Sequence, residues 1–262
     1  MSGPVFTAWI EGIGLWTHGL PSWADAQAYA RGGTLPTDAA TRPSPQLLAP
    51  NERRRAPETV AVALEVALAA CTQAGRDPAT LPSVFTSVHG DLTITDYICT
   101  TLADAPQSVS PTRFHNSVHN AAAGYWTIGA GCMHPTTAIS AFDASYAQGL
   151  IEAMVQLASG SEAVLLVGYD GSSAGPLAAV SSSLGLLGTG LVLSSTPRTD
   201  AMTLSITLVD GDADDGDGAI ARLAAGNAMA AMLPLFDAIA SGQTQALLHA
   251  GPGRALRVEL GR

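Results

Sequence analysis

Three groups of residues have types and spacings that could do chemistry. In the stretch DGDADDGDG, Asp210, Asp212 and Asp214 repeat the first, third and fifth ligand positions of a calcium-binding loop. The sixth position, where the sharp turn needs glycine, is Asp215, and the twelfth, where a bidentate glutamate is needed, is Ala221. This stretch is expected to be a solvated hairpin loop with no metal. His115 and His119 stand four apart, which on a helix would set two imidazoles on one face, but no third ligand follows at zinc-like spacing. His134 is their neighbour in sequence only, and a structural or interface role is the expectation for the pair. Gly171-Ser172-Ser173-Ala174-Gly175 is a G-x-S-x-G that directly follows the apolar run EAVLLVGYD, and Ser173, Asp210 and His249 follow the chain order of an α/β-hydrolase triad. The helix that should complete such an elbow reads PLAAVSSSLGLLG, whose proline, serine triplet and repeated glycines suit it poorly.

These residues must be positioned by the elements around them. VFTAWI (5–10) reads as a strand closing on Gly12 and Gly14, and 21–32 as a short helix ended by Gly32-Gly33. A proline-rich connection (34–51) and a charged lead-in (52–55) precede PETVAVALEVALAACTQAG (57–75), which is apolar on all faces and reads as a buried helix. SVFTSV (83–88) is predicted as a strand, 91–104 as a helix capped by Asp91, and 106–117 as a polar loop. NAAAGYWTIGAG follows as a small-residue helix. Then come a strand at 136–140, a helix at 145–160 and the fully apolar strand 162–170. In the last third, LGLLGTGLVLSST and MTLSITLVD are predicted as adjacent strands, 219–240 as helical with a break at Pro234, and 255–260 as a final strand. Strands alternating with buried helices predict an α/β protein with a mostly parallel sheet covered on both faces, in one domain spanning 1–262.

Composition narrows the function. All 12 basic residues of the 262 are arginine, so Schiff-base chemistry, a P-loop lysine and a catalytic lysine are excluded for this chain alone. With a net charge of -10 and no basic cluster beyond Arg53-Arg54-Arg55, a nucleic-acid partner is not expected. Only 13% of residues are charged against 47% hydrophobic, which suggests that part of the surface is covered by another chain. The apolar runs are too short for membrane insertion. Cys71, Cys99 and Cys132 form no CxxC and read as buried thiols in a reducing compartment. The amino-terminal MSGPVFTAWIEGIG carries no charged or apolar leader pattern, and the expected location is cytoplasmic.

Residues 110–170 carry a resemblance. Their Ser-Pro opening (Ser110-Pro111), an Asn-x-x-x-Gly helix (Asn120, Gly124), a Gly-x-x-x-Pro turn (Gly131, Pro135), then strand, helix and strand, resemble the central stretch of the β-ketoacyl synthases of the thiolase fold. The amino-terminal strand and the NERRRAPETVAVALEVALAA helix extend the likeness to about two thirds of the chain, and the collinear spacing carries it. The resemblance implies an α/β thiolase-like (ketosynthase) fold, largely its first half (1–200) with an abbreviated second half (201–262), built on a mostly mixed sheet with buried helices. It also implies a nucleophilic cysteine at a strained turn eight positions after the proline. Asp143 falls there, flanked by Phe142 and Ala144, and is expected to cap the following helix as an anion, since a carboxylate cannot form the required thioester. Cys132 lies eleven residues upstream, on the wrong side of the strand. One catalytic histidine of the family has no match, and the other falls on Asn227 after Gly226.

What the family likeness implies is a catalytically incomplete subunit, similar to the chain length factors of aryl polyene and xanthomonadin type II polyketide systems. Such a subunit would pair as a heterodimer with a full-length ketosynthase, act on chains bound to an acyl carrier protein, and need no cofactor. Arg113, Phe114, His115 and Asn116 would then form a loop crossing the interface and lining the partner's acyl tunnel, with His119 and Phe142 beside it. A Ser173 hydrolase and a non-catalytic homodimeric scaffold stand as the alternative readings.

Overall fold

The computed structural model describes residues 6–261. Strand β1 (Phe6–Thr17) is followed by helices α1 (Trp23–Ala30), α2 (Pro50–Arg53) and α3 (Glu58–Ala74). Strand β2 (Ser83–Thr86) leads into α4 (Leu92–Asp104), α5 (Pro111–Asn116) and α6 (Ala121–Ala130). Next come β3 (Thr136–Ile139), α7 (Ser145–Ala158), β4 (Ala163–Asp170), β5 (Leu187–Ser194) and β6 (Met202–Asp210). Helices α8 (Ala219–Leu223) and α9 (Leu233–Ser241) and the hairpin β7 (Gln245–Gly251) and β8 (Arg254–Gly261) follow.

All eight strands form one sheet in the order β3-β2-β4-β5-β1-β6-β8-β7. Among the described residues only β2 with β3 and β2 with β4 run parallel. The other five neighbouring pairs are antiparallel, so the sheet is mixed rather than mostly parallel. The reason is in the connections. A parallel pairing needs a crossover, and helices supply one only along β2, β3 and β4, whereas β4 reaches β5 through a helix-poor loop. The two strands predicted as adjacent, β5 and β6, are separated by β1, which pairs with both.

Helices cover both faces. Neighbouring residues of one strand serve opposite cores: Val84 and Leu166 pack with α7 and α9 on one side, while Phe85 and Leu165 pack with α3 and α6 on the other. The strand predicted to close at Gly12 and Gly14 instead runs through both as β1, since α3 lies directly against them. A Cβ at Gly12 would stand 2.1 Å from the Ala70 carbonyl oxygen, and one at Gly14 2.1 Å from that of Val66. The glycines are close-approach positions, not turn formers. Val5, the first residue of that predicted strand, lies outside the described residues.

Several local expectations also hold or shift. Asp91 caps α4 by accepting from the Ile94 amide, and Gly75 ends α3 in the left-handed conformation. Pro234 lies in the first turn of α9, so it starts a helix instead of breaking one. The acidic stretch connects β6 to α8 and is not a hairpin. Asp214 pairs with the β7 edge, accepting from the Leu247 amide at 2.7 Å and donating its own amide to the Leu247 carbonyl at 3.0 Å. Cys71 and Cys132 are buried, but Cys99 is exposed on α4. Among the described residues no helix is long and apolar enough to cross a membrane.

Candidate functional site

The three parallel strands β3, β2 and β4 end on the same side of the sheet, the side where α/β folds build their sites. The last residue of β4, Asp170, is wholly buried, and its carboxylate accepts from the Ser87 hydroxyl at 2.7 Å, the Val88 amide at 2.7 Å and the His89 amide at 3.3 Å. Ser87 in turn accepts from the Gly90 amide, which closes the turn after β2. The Ser140 hydroxyl, just past β3, donates to the Val88 carbonyl at 3.0 Å. His119 Nε2 stands 2.9 Å from the Ser87 carbonyl, so it carries the proton and donates. The carboxylate therefore ties the end of β4 to the turn after β2, and the backbone carbonyls of that turn hold Ser140 and His119.

Burial pushes the Asp170 carboxyl up to about 7, against the pull of its three hydrogen bonds and with a small push from Asp91. Burial likewise lowers the pKa of His89, while the nearby Asp143 carboxylate opposes that shift. Sequence reasoning missed Asp170, Ser87 and His89. The available signal was an ionisable residue closing the otherwise apolar run EAVLLVGYD.

Among the described residues Phe142 is the one non-glycine residue in the left-handed region, at φ 49. The strained turn between β3 and α7 is thus present, but it centres on Phe142, one residue before Asp143. Asp143 does not cap α7. The N-cap is Ala144, no side chain bonds there, and Asp143 is exposed. The turn is held instead by Ser145, whose hydroxyl donates to the Phe142 carbonyl and accepts from the Ala141 amide. Phe142 presents its phenyl ring outward at 76% exposure, where the turn could have offered a nucleophile. Cys132 lies at the opposite end of β3, buried, with its thiol toward the Leu81 carbonyl.

Asn227 is buried and structural. Its Nδ2 donates to the backbone carbonyls of Asp170 and Gly185, both at 3.2 Å, and its Oδ1 accepts from the Met229 amide. Ser173 is equally committed, since its hydroxyl accepts from the Ser183 amide at 2.8 Å and donates to the Ser183 carbonyl at 3.2 Å. A short 3-10 turn (Gly175–Ala179) follows it in place of the α-helix an elbow requires. Among the described residues no group of three or more His, Cys, Asp or Glu side chains is placed to hold a metal ion.

The segment Arg113-Phe114-His115-Asn116, predicted as loop, is the body of helix α5, started by the Ser110 cap and Pro111. Arg113 lies over the Tyr97 ring at 4.0 Å, His115 meets Tyr125 edge-on, Phe114 is exposed and Asn116 is buried. His115 and His119 do not share a helix face, because α5 ends at Asn116 and His119 has turned toward Ser87. The structure therefore sorts the residues into two groups: His119 and Asn227 against the turn and strand end that Asp170 joins, with Asp143 near His89 and Phe142 before it, and Arg113 to Asn116 on α5. Ile128, Met133 and Phe142 are the most exposed large apolar side chains of the stretch running from α6 through β3. Among the described residues strand β3 pairs only with β2 and leaves its outer edge free.

The fold has known counterparts. The chain is 22% identical to a chain in the complex of a ketosynthase with its chain length factor from Xenorhabdus doucetiae, with a TM-score of 0.76 over 97% of this chain and 99% of that one. It also resembles the ishigamide ketosynthase/chain length factor (14% identity, TM-score 0.72, 98% and 99% covered). A third likeness is to the type II polyketide ketosynthase complex of AntDE with the acyl-carrier protein AntF (12% identity, TM-score 0.74, 100% and 99% covered). No curated protein matches the sequence. Residues 22–253 match the family model of the β-ketoacyl synthase N-terminal domain. With that match over most of its length and a thiolase-like sheet beneath it, the chain belongs to the β-ketoacyl synthase family.

Proposed function

We propose that this chain is a catalytically incomplete ketosynthase-like subunit, a chain length factor, which pairs with a full-length ketosynthase in the cytoplasm. The pair elongates polyene or polyketide chains carried on an acyl carrier protein. The carrying observation is the left-handed turn at Phe142, which holds an outward phenyl ring where condensation needs a thiolate. No lysine is present, and Asn227 spends both ends of its amide on backbone groups. The single domain spans 1–262, with 201–262 as the abbreviated second half.

The partner surface follows from the sheet edges. Asp214 blocks part of the β7 edge, whereas β3 is free and flanked by exposed Ile128, Met133 and Phe142, a combination suited to adding a strand from another chain. Likeness at nearly full length to chains of ketosynthase/chain length factor structures supports the same reading. The hydrolase alternative loses support from the two backbone hydrogen bonds on Ser173.

The test is co-expression with a full-length ketosynthase from the same organism, purification through one tag, and a condensation assay with each chain omitted. Co-purification, with elongation lost when either chain is left out, is expected. Elongation that proceeds unchanged without this chain would overturn the proposal.

A further inference from the structure

Asp170 is wholly buried, and none of the ion pairs among the described residues includes it. Its three donors, the Ser87 hydroxyl and the Val88 and His89 amides, are all neutral. An ionised carboxylate so placed has lost its water and gained no opposite charge, which makes the charged form costly. The titratable groups around it bring no relief. Asp91, ahead of α4, adds a like charge, and Tyr169, its neighbour on β4, is kept un-ionised by burial. His89 lies in the turn itself, where burial favours its neutral form, and Asp143 lies near His89. His119, ahead of α6, spends its Nε2 proton on the Ser87 carbonyl.

The hydrogen bonds leave room for the acid form. Asp170 Oδ2 accepts from the Val88 amide, whereas Oδ1 meets the Ser87 hydroxyl and, at a longer distance, the His89 amide. A hydroxyl oxygen offers two lone pairs. Ser87 Oγ already accepts from the Gly90 amide at 2.7 Å, so one lone pair remains to receive a proton carried on Asp170 Oδ1. The Ser87–Asp170 bond then reverses direction and the Val88 bond persists. Burial, which pushes this carboxyl up to about 7, brings the exchange between the two forms close to neutral pH.

We propose that Asp170 is a proton-operated clamp on the 87–90 turn, shut while its carboxyl is protonated and released as the carboxyl ionises and draws water in. The release reaches beyond the turn. The Val88 carbonyl holds the Ser140 hydroxyl just past β3, and the Ser87 carbonyl holds His119 ahead of α6, so an open turn loosens both. In the open turn the carboxyl meets water and titrates near about 3.9, so raising the pH favours opening until the closed form is ionised as well. The clamp is a property of this chain alone and does not depend on pairing with a ketosynthase.

Amide hydrogen exchange tests the clamp on the unaltered chain, corrected for the chemical exchange rate at each pH and referenced to the β7 and β8 hairpin. Protection at Val88, His89 and Gly90 is expected to fall by about tenfold or more between about pH 5 and about pH 8. Asp170→Asn should abolish that fall, because a carboxamide keeps a donor and an acceptor in place but does not ionise. His89→Gln should keep it, because the His89 ring is not its source. Protection that does not change with pH in the unaltered chain, a fall that survives Asp170→Asn, or one that disappears with His89→Gln would overturn the proposal. Should Asp170→Asn fail to fold, carboxyl-carbon NMR of Asp170 in the unaltered chain decides: a midpoint near about 7 supports the clamp, and one near about 4 or below overturns it.

Discussion

The Ser87 hydroxyl donates a 2.7 Å hydrogen bond to the Asp170 carboxylate between the ends of two parallel strands, and both residues are wholly buried. An unfolded aspartate titrates near about 3.9. Because burial lifts the native group to about 7, the native state takes up this proton first as pH falls. The contribution of Asp170 to stability is therefore fully present below about pH 4 and is lost as pH rises through about 7. His89 acts in the opposite sense, since burial lowers its pKa against the pull of Asp143. Comparing Asp170→Asn with the unaltered chain isolates the aspartate. The stability advantage of the unaltered chain should shrink in thermal melts as pH is raised from about 5 to about 8. An advantage that does not vary with pH would refute the linkage.

Gly12 and Gly14 set the distance between β1 and α3. An added methyl at either would meet a helix carbonyl oxygen at 2.1 Å, and backbone on both sides leaves no flexible neighbour to yield. Gly12→Ala and Gly14→Ala are each expected to cost about 1–3 kcal/mol in urea denaturation. A cost below about 0.5 kcal/mol, the usual range of harmless surface changes, would show that the helix does not press on the strand.

Phe142 is both strained and largely exposed, and its φ of 49 is held by the Ser145 hydrogen bonds across the turn. Phe142→Gly should therefore stabilise the isolated chain by about 1 kcal/mol, because glycine adopts this conformation without a Cβ clash. The same change should weaken pairing with the ketosynthase, measured by calorimetric titration. Unchanged affinity would remove Phe142 from the contact surface.

Ser173→Ala is expected to leave condensation by the complex unchanged, and the unaltered chain should not react with a fluorophosphonate probe. Both follow from a hydroxyl already paired with the Ser183 backbone. Stoichiometric labelling at Ser173 would restore the hydrolase reading.

Much of this architecture was legible in the sequence, because its signals are local. The proline and glycine bracketing α3, the Asp91 cap and the apolar run 163–169 of β4 each mark an element without reference to the rest of the chain. What was not legible depends on distant partners. Glycines that read as a turn prove to be contacts with a helix some fifty or more residues later, and β1 inserts between two strands that follow one another in sequence. The site shows the same division. The family resemblance implied a strained turn at Asp143, one residue after Phe142, but whether Asp143 caps the helix depended on backbone geometry that the resemblance does not set. Asp170 escaped notice because its three hydrogen-bond donors lie more than eighty residues earlier.

The pairing itself is best read by amide hydrogen exchange on this chain, alone and mixed with the purified ketosynthase. Strand β3 leaves one edge unpaired, so Thr136–Ile139 together with the exposed α5 helix should gain protection when the ketosynthase is added, while the distal β7 and β8 hairpin stays as it was. No gain at β3 and α5 in a mixture that still carries out condensation would contradict the assignment of this face to the partner.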